Sequence, residues 1–281
     1  MSYKTILVHV NESRHAEKRI QLAARIAMMD DAHLVGVAAA VAPGGFHLPG
    51  MISEGSGALS VYLNFLQERA DAALAAFEAY VVDTGVTSYE TRTAAEEPGA
   101  ALNLQARYCD LVVLGQPDPE EAILGYRTRL VEDVILHSGR PVLLVPYAGR
   151  FDRIDKRIFV AWDASLEAMH AVTAAIPLLK RADLVQVAVF VSRQGTDQHG
   201  EQPGADISLY LARHGVRVET TCHALDLELD IGSAIQSQSD YFNADLIVMG
   251  CYGHSRFREI FLGGATRAVL GSMTVPVLMA H

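Results

Sequence analysis

Short apolar runs alternate along the chain with longer stretches in which apolar residues return every three or four positions. The short runs, such as residues 110–115 and 244–249, are typical of strands that are buried on both faces of a parallel sheet. The longer stretches, such as the one that contains Leu66, Ala70 and Leu74, are typical of helices. This alternation predicts an α/β fold built of βαβ units. The predicted strands cover residues 4–10, 33–41, 87–92, 110–115, 141–146, 156–162, 183–191, 216–222, 244–249 and 275–280.

The second half of the chain repeats the first. The matching segments are residues 4–13 and 156–165, 110–115 and 245–250, and 141–145 and 276–280. Three matches in the same order indicate two copies of one unit, and they predict tandem domains at residues 1–148 and 153–281. Five predicted strands in each copy, joined by helices, fit a doubly wound sheet. Ser13 and Ser165 are expected to cap the first helix of their copies.

A glycine cluster follows the predicted strand at residues 244–249. Gly250, Gly253 and Gly263 precede a helical pattern that begins near Ala265. Glycines let the backbone approach a ligand closely, and a helix start presents unpaired N–H groups, so the cluster predicts a phosphate-binding site. The alternative is that the glycines serve only tight turns and helix packing. Ligands of doubly wound sheets bind where the strand order reverses, so we expect the crevice between Asp163 and Gly250.

Charge, apolar runs and cysteine content indicate which kinds of partner and which cellular compartment to expect. The formal net charge of −10 argues against a nucleic-acid partner, since such binding depends on clustered Lys and Arg. The sequence shows no signal-peptide pattern and no apolar run near the roughly 20 residues that span a bilayer. Cys109, Cys222 and Cys251 do not suggest a disulfide framework. We therefore expect a soluble cytoplasmic protein without nucleic-acid or membrane partners.

These segments resemble tandem members of the universal stress protein family over essentially the whole chain. The most specific likeness is Gly250-x2-Gly253-x9-Gly263. The resemblance implies two α/β domains, each a five-stranded parallel sheet of strand order 3-2-1-4-5 with helices on both faces. It also implies a stress-response or regulatory protein that binds an adenine nucleotide, ATP with or without Mg²⁺, in the second domain. Carried over by position, the binding residues are Ala161, Trp162, Asp163, Val189, Met249, Gly250, Gly253, His254, Gly263, Gly264, Ala265 and Thr266.

The second half departs from the family pattern at one position. The family has Ser or Thr after the last glycine, whereas this chain has Gly264. A hydroxyl bonded to a phosphate contributes about 1.5–3 kcal/mol, so its loss weakens ATP binding unless Thr266 or Ser255 replaces it.

The first half departs further. Alignment of the two halves places Asn11 opposite Asp163, and Asp118 opposite Gly253. A carboxylate at Asp118 repels phosphate, so this copy is expected to lack the nucleotide. The resemblance implies that it instead forms an intramolecular pseudo-dimer with the second copy, and edge pairing suggests the strands near 141–146 and 275–280 as the contact. Further association into a homodimer is left open.

No catalytic or metal-binding motif emerges from the sequence. It lacks a Walker loop. Any ATP hydrolysis is expected to be slow, because no general base or metal-holding carboxylate is evident beside the glycine cluster. The pairs Cys222-His223 and Cys251-x2-His254 lie on strands expected to be roughly 14 Å apart, too far for one metal ion. Two alternatives to ATP binding remain: an interaction scaffold whose glycines are relics, and a binder of another phosphorylated small molecule.

Overall fold

The protein is described by a computed structural model over residues 2–41, 58–121, 129–151, 153–192, 202–225, 230–251 and 264–281. These residues form two compact units, residues 2–140 and residues 141–281. A search of the described helices finds none whose length and apolar character suffice to cross a bilayer. Because residues 141–145 are grouped with the second unit, the chain divides just before the fifth predicted strand. The domain limits 1–148 and 153–281 remain a prediction.

The first unit is a parallel sheet in the order β3-β2-β1-β4. Its elements are β1 (Thr5–His9), α1 (Ala16–Asp30), β2 (His33–Ala39), α2 (Ala58–Asp83), β3 (Tyr89–Ala94), α3 (Pro98–Ala106), β4 (Leu111–Gly115), a 3-10 turn (Pro119–Glu121) and α4 (Leu130–His137). The apolar side chains of β1 and β4 are buried almost completely, as expected for central strands of a parallel sheet.

The second unit is a sheet in the order β5-β10-β9-β6-β7-β8. Its elements are β5 (Val142–Val145), β6 (Arg157–Trp162), α5 (Leu166–Leu179), β7 (Leu184–Ser192), α6 (Ala205–Arg213), β8 (Val218–Leu225), α7 (Ile231–Tyr241), β9 (Leu246–Gly250), α8 (Gly264–Ser272) and β10 (Val277–Ala280). Strands β6 to β10 are parallel and confirm the predicted order 3-2-1-4-5. The sixth strand, β5, pairs antiparallel with β10, with Leu143 opposite Leu278.

Carboxylates at equivalent positions make the same contacts in the two units. Asp110 precedes β4 and accepts hydrogen bonds from the backbone N–H groups of Lys4 (2.6 Å) and Thr5 (3.1 Å) at the start of β1. Asp245 precedes β9 and accepts from the N–H groups of Lys156 (2.9 Å) and Arg157 (3.2 Å) in the same way. Each carboxylate ties the first strand of its unit to the fourth and fixes their register.

The first helices of the two units begin differently. Ser165 caps α5 as predicted, because its hydroxyl accepts a hydrogen bond from the N–H of Ala168 at 3.1 Å. The predicted cap at Ser13 is wrong. Helix α1 begins at Ala16 after His15, whose side chain makes no capping bond, and the Ser13 hydroxyl donates instead to the carboxylate of Glu121 at 2.7 Å.

Candidate functional site

Three neighbouring strands of the second unit bring four predicted binding residues together. Strand β6 lies between β7 and β9, at the position where the strand order reverses. In register, Ala161 stands beside Met249 of β9, and Trp162 stands beside Val189 of β7. All four are at or near the carboxyl ends of their strands, which is where doubly wound sheets bind ligands.

Asp163 follows β6 and presents an exposed carboxylate at this edge. Its Oδ1 accepts hydrogen bonds from the N–H (3.0 Å) and the hydroxyl (2.6 Å) of Ser165, which closes a tight turn into α5. Ala164, within this turn, has a left-handed backbone with φ of 59°. The turn holds the Asp163 side chain in place through one oxygen, while the group as a whole stays open to solvent.

Gly250 has a packing role in addition to any role in binding. A Cβ atom at this position would lie 2.4 Å from the backbone N of Ala168 and 2.7 Å from the carbonyl C of Glu167. The first turn of α5 therefore rests directly on the end of β9. At this glycine the packing alternative accounts for the missing side chain without a ligand.

Helix α8 begins at the same edge because it follows β9. Gly264, Ala265 and Thr266 form its first turn, and the first N–H groups of a helix have no partner within it. Its start is positioned by α7, where a Cβ on Gly232 would lie 2.9 Å from the carbonyl oxygen of Ala265. Thr266 is only 3% exposed, so the structure places it in the interior face of α8. Gly253, His254 and Gly263 lie outside the described residues.

Glu167 is a residue of this edge that the sequence analysis missed. It lies in the first turn of α5 and is 8% exposed. Burial, together with the charge of Glu167, raises the pKa of the Cys251 thiol. The signal was present in the sequence as an acidic residue four positions after Asp163, just past the predicted helix cap at Ser165.

The same edge of the first unit is filled by the protein's own side chains. Arg19 of α1 is 4% exposed, and it donates to the carbonyl oxygen of His9 (2.7 Å) and to Oδ1 of Asn11 (2.9 Å). Its guanidinium lies against Gly115, where a Cβ would be 2.5 Å from Nη1. Burial lowers the pKa of Arg19 to about 10. Asn11 and Asp163 form equivalent turns, since Asn11 Oδ1 also accepts from the N–H of Ser13 at 3.2 Å.

Asp118, aligned with Gly253 of the second unit, adds a buried carboxylate to this edge. Its Oδ2 lies 2.5 Å from Nη2 of Arg14 and 2.9 Å from Nε2 of His15. The hydrogen bonds from His15 and Arg14 lower the pKa of Asp118 to about 2. This edge of the first unit therefore already holds an anionic group.

Comparisons with known proteins agree with this architecture. A model of the universal stress protein family matches residues 156–281. The universal stress protein Slr1230 of Synechocystis sp. PCC 6803 is 30% identical over 175 residues, which are 60% of this chain and 57% of that protein. The crystal structure of a universal stress protein from Archaeoglobus fulgidus DSM 4304 superposes with a TM-score of 0.73 at 17% identity, covering 98% of this chain and 95% of that one. The protein PA1789 of Pseudomonas aeruginosa PAO1 gives a TM-score of 0.59 at 16% identity, over 98% of this chain and 92% of that one.

Proposed function

Residues 156–281 match the universal stress protein family, and we propose that the second unit binds an adenine nucleotide at the carboxyl ends of β6, β7 and β9. The proposed role is that of a cytoplasmic stress-response or regulatory protein. The observation that carries the proposal is the exposed, oriented carboxylate of Asp163 at the position where the strand order reverses.

The residues around Asp163 suit the nucleoside end of the ligand. Ala161 and Met249 stand side by side in the sheet and are the candidates for apolar contact with a planar base, and the Asp163 carboxylate is an acceptor for the hydroxyl or amino groups of a nucleoside. Helix α8 begins on the same edge, where its first N–H groups and its dipole favour phosphate. ATP, with or without Mg²⁺, is the ligand that we propose, because its nucleoside suits the first feature and its phosphates suit the second.

The strand ends of the first unit differ from the candidate site of the second unit. The Arg19 guanidinium lies against Gly115 at the end of β4, and Asp118 aligns in the sequence with Gly253, for which the family resemblance implies a phosphate contact. We propose that this unit does not take a nucleotide and that its role is structural, in an intramolecular pseudo-dimer.

A charge-only substitution at position 163 tests the proposal. Asn11 forms the same turn in the first unit, so Asp163→Asn is expected to keep the loop and to remove only the negative charge. By calorimetry on the intact chain, ATP should bind the wild type, and Asp163→Asn should bind it about ten- to a hundredfold more weakly, the effect of losing a charged hydrogen bond. The control is Asn11→Asp, which should leave ATP affinity unchanged.

The outcomes separate the rival functions. Equal affinity of wild type and Asp163→Asn for ATP, together with binding of inorganic tripolyphosphate, would favour a site for another phosphorylated molecule. No binding of ATP or tripolyphosphate to the wild type would favour the scaffold. Either result contradicts the adenine-nucleotide proposal.

A further inference from the structure

Three side chains of the first unit bring metal-ligating atoms together at the carboxyl ends of β1 and β4. His15, Asp118 and Glu121 each place one such atom within 4.8 Å of the other two. His15 belongs to the loop between β1 and α1, whereas Asp118 and Glu121 follow β4. We propose that these three residues bind a divalent transition-metal ion such as Zn²⁺ or Mn²⁺.

The spacing of the atoms suits one central ion. Ligand atoms about 2.0–2.2 Å from a metal lie roughly 3–4.4 Å from one another. The ligand atoms of His15, Asp118 and Glu121 lie within 4.8 Å of one another, so they need to move by less than about 1 Å to reach that spacing. The Asp118 side chain is 3% exposed and forms a fixed wall of the site. The side chains of His15 (17% exposed) and Glu121 (33% exposed) lie nearer the surface than that of Asp118.

Nε2 of the His15 ring faces two neighbours of opposite hydrogen-bonding character. Nε2 of His15 lies 3.1 Å from Nε of Arg14, a donor, and 2.9 Å from Oδ2 of Asp118, an acceptor. One ring nitrogen cannot satisfy both neighbours, because it carries either a proton or a lone pair. A metal ion between His15 and Asp118 uses the lone pairs of both atoms and removes the conflict.

Neighbouring groups orient the carboxylates as an outer shell does in metal sites. The hydroxyl of Ser13 donates to Oε2 of Glu121 at 2.7 Å, and the N–H of Glu120 donates to Oδ1 of Asp118 at 2.9 Å. Such second contacts fix the direction of a ligand and increase metal affinity. One imidazole with two carboxylates is a ligand set that suits Zn²⁺ and Mn²⁺.

The local charge also favours a cation. Among the residues that the structure describes, Asp118, Glu120 and Glu121 supply three carboxylates, and Arg14 and the buried Arg19 supply the guanidinium groups next to them. With a neutral imidazole the cluster keeps an excess of one negative charge. Arg14 is the competitor of the metal, because it pairs with Asp118 at 2.5 Å and with Glu120 at 2.6 Å while its side chain is 56% exposed.

The test is calorimetry on the intact, nucleotide-free chain with Zn²⁺ alone and with Mn²⁺ alone. The wild type should bind at least one of these ions at one equivalent. His15→Asn and Glu121→Gln should weaken that binding by at least about tenfold, the loss that follows removal of even an outer-shell partner. The matched control is His137→Asn, which removes a histidine that lies 2.9 Å from a single carboxylate, Asp133, and should leave the affinity unchanged.

Arg14→Gln separates a metal site from a purely structural ion-pair cluster. Removal of the competing guanidinium should tighten metal binding by roughly threefold or more, because a positive charge next to the ion is lost. Pulsed EPR of the wild-type Mn²⁺ complex should show coupling to one imidazole nitrogen, and this measurement holds even if a variant fails to fold. The proposal is overturned if the wild type binds neither ion, if His15→Asn and His137→Asn bind alike, or if Arg14→Gln binds more weakly. None of these outcomes depends on nucleotide binding by the second unit.

Discussion

His9 shows how one buried residue sets the response of the first unit to acid. It lies at the end of β1 and is 8% exposed. Burial and the charge of Arg19 lower the pKa of its imidazole to about 3. In an unfolded chain histidine titrates near pH 6.5, so between these values only the unfolded state binds the extra proton. The neutral ring therefore contributes stability above pH 6.5 that is lost as the pH falls toward 3.

We predict that His9→Gln flattens the acid dependence of stability. Between pH 6 and pH 4, the free energy of unfolding of the wild type should fall relative to that of the variant by about 1.4 kcal/mol per pH unit, since one proton is taken up on unfolding. Urea denaturation across this range measures the difference. Parallel pH profiles for the two proteins would show that His9 does not titrate in this way.

At the scale of elements, the contact between β9 and α5 depends on the lack of a side chain at Gly250. Gly250 ends β9, and the backbone of α5 at Ala168 lies where a side chain would begin. The turn from Asp163 to Ser165 and the cap on Ala168 hold that end of the helix in place. The strand and helix that carry the candidate site are therefore packed backbone to backbone.

Gly250→Ala should lower the free energy of unfolding of the second unit by about 1–3 kcal/mol, the usual cost of overpacking. The matched control is Gly271→Ala in α8, where an added Cβ meets nothing within 4 Å and stability should stay equal or rise slightly. Chemical denaturation of both variants gives the comparison. Equal stabilities for the two would mean that α5 moves away from β9 without cost.

Elements were easier to predict than contacts. The ten predicted strands are all found, because continuous apolar runs such as Leu246–Gly250 mark buried strands by themselves. The function of Gly250 was not predictable, since a glycine beside a ligand and a glycine beside a helix look alike in a sequence. The pairing of His15 with Asp118 also escaped prediction, because residues 103 positions apart meet only once the fold places their strands side by side.

At the scale of the whole molecule, β5 belongs by sequence to the first repeat and by contacts to the second unit. It pairs antiparallel with β10, with Val142 opposite Met279 and Leu144 opposite Val277. Both strands are fully buried in the structure. The second unit thus consists of one complete five-stranded copy and one additional strand that covers its edge.

We predict that this strand keeps the second unit from associating with itself. A fragment of residues 153–281 leaves the apolar edge of β10 without a partner, and such edges pair with other chains. A fragment of residues 141–281 retains β5 and is the matched control. Light scattering during size-exclusion chromatography should show the shorter fragment as a dimer or larger species and the longer one as a monomer. A monomeric shorter fragment would contradict the prediction.

The pairing of β5 with β10 also determines when, during folding, the edge of β10 can no longer pair with another chain. The paired residues lie about 135 positions apart in the chain, and contacts between such distant segments slow the folding of a domain. Until they meet, β10 offers its bare backbone groups to any extended chain nearby. The folding intermediate in which the five parallel strands have formed, but β5 has not yet paired with β10, is therefore the state most prone to aggregate.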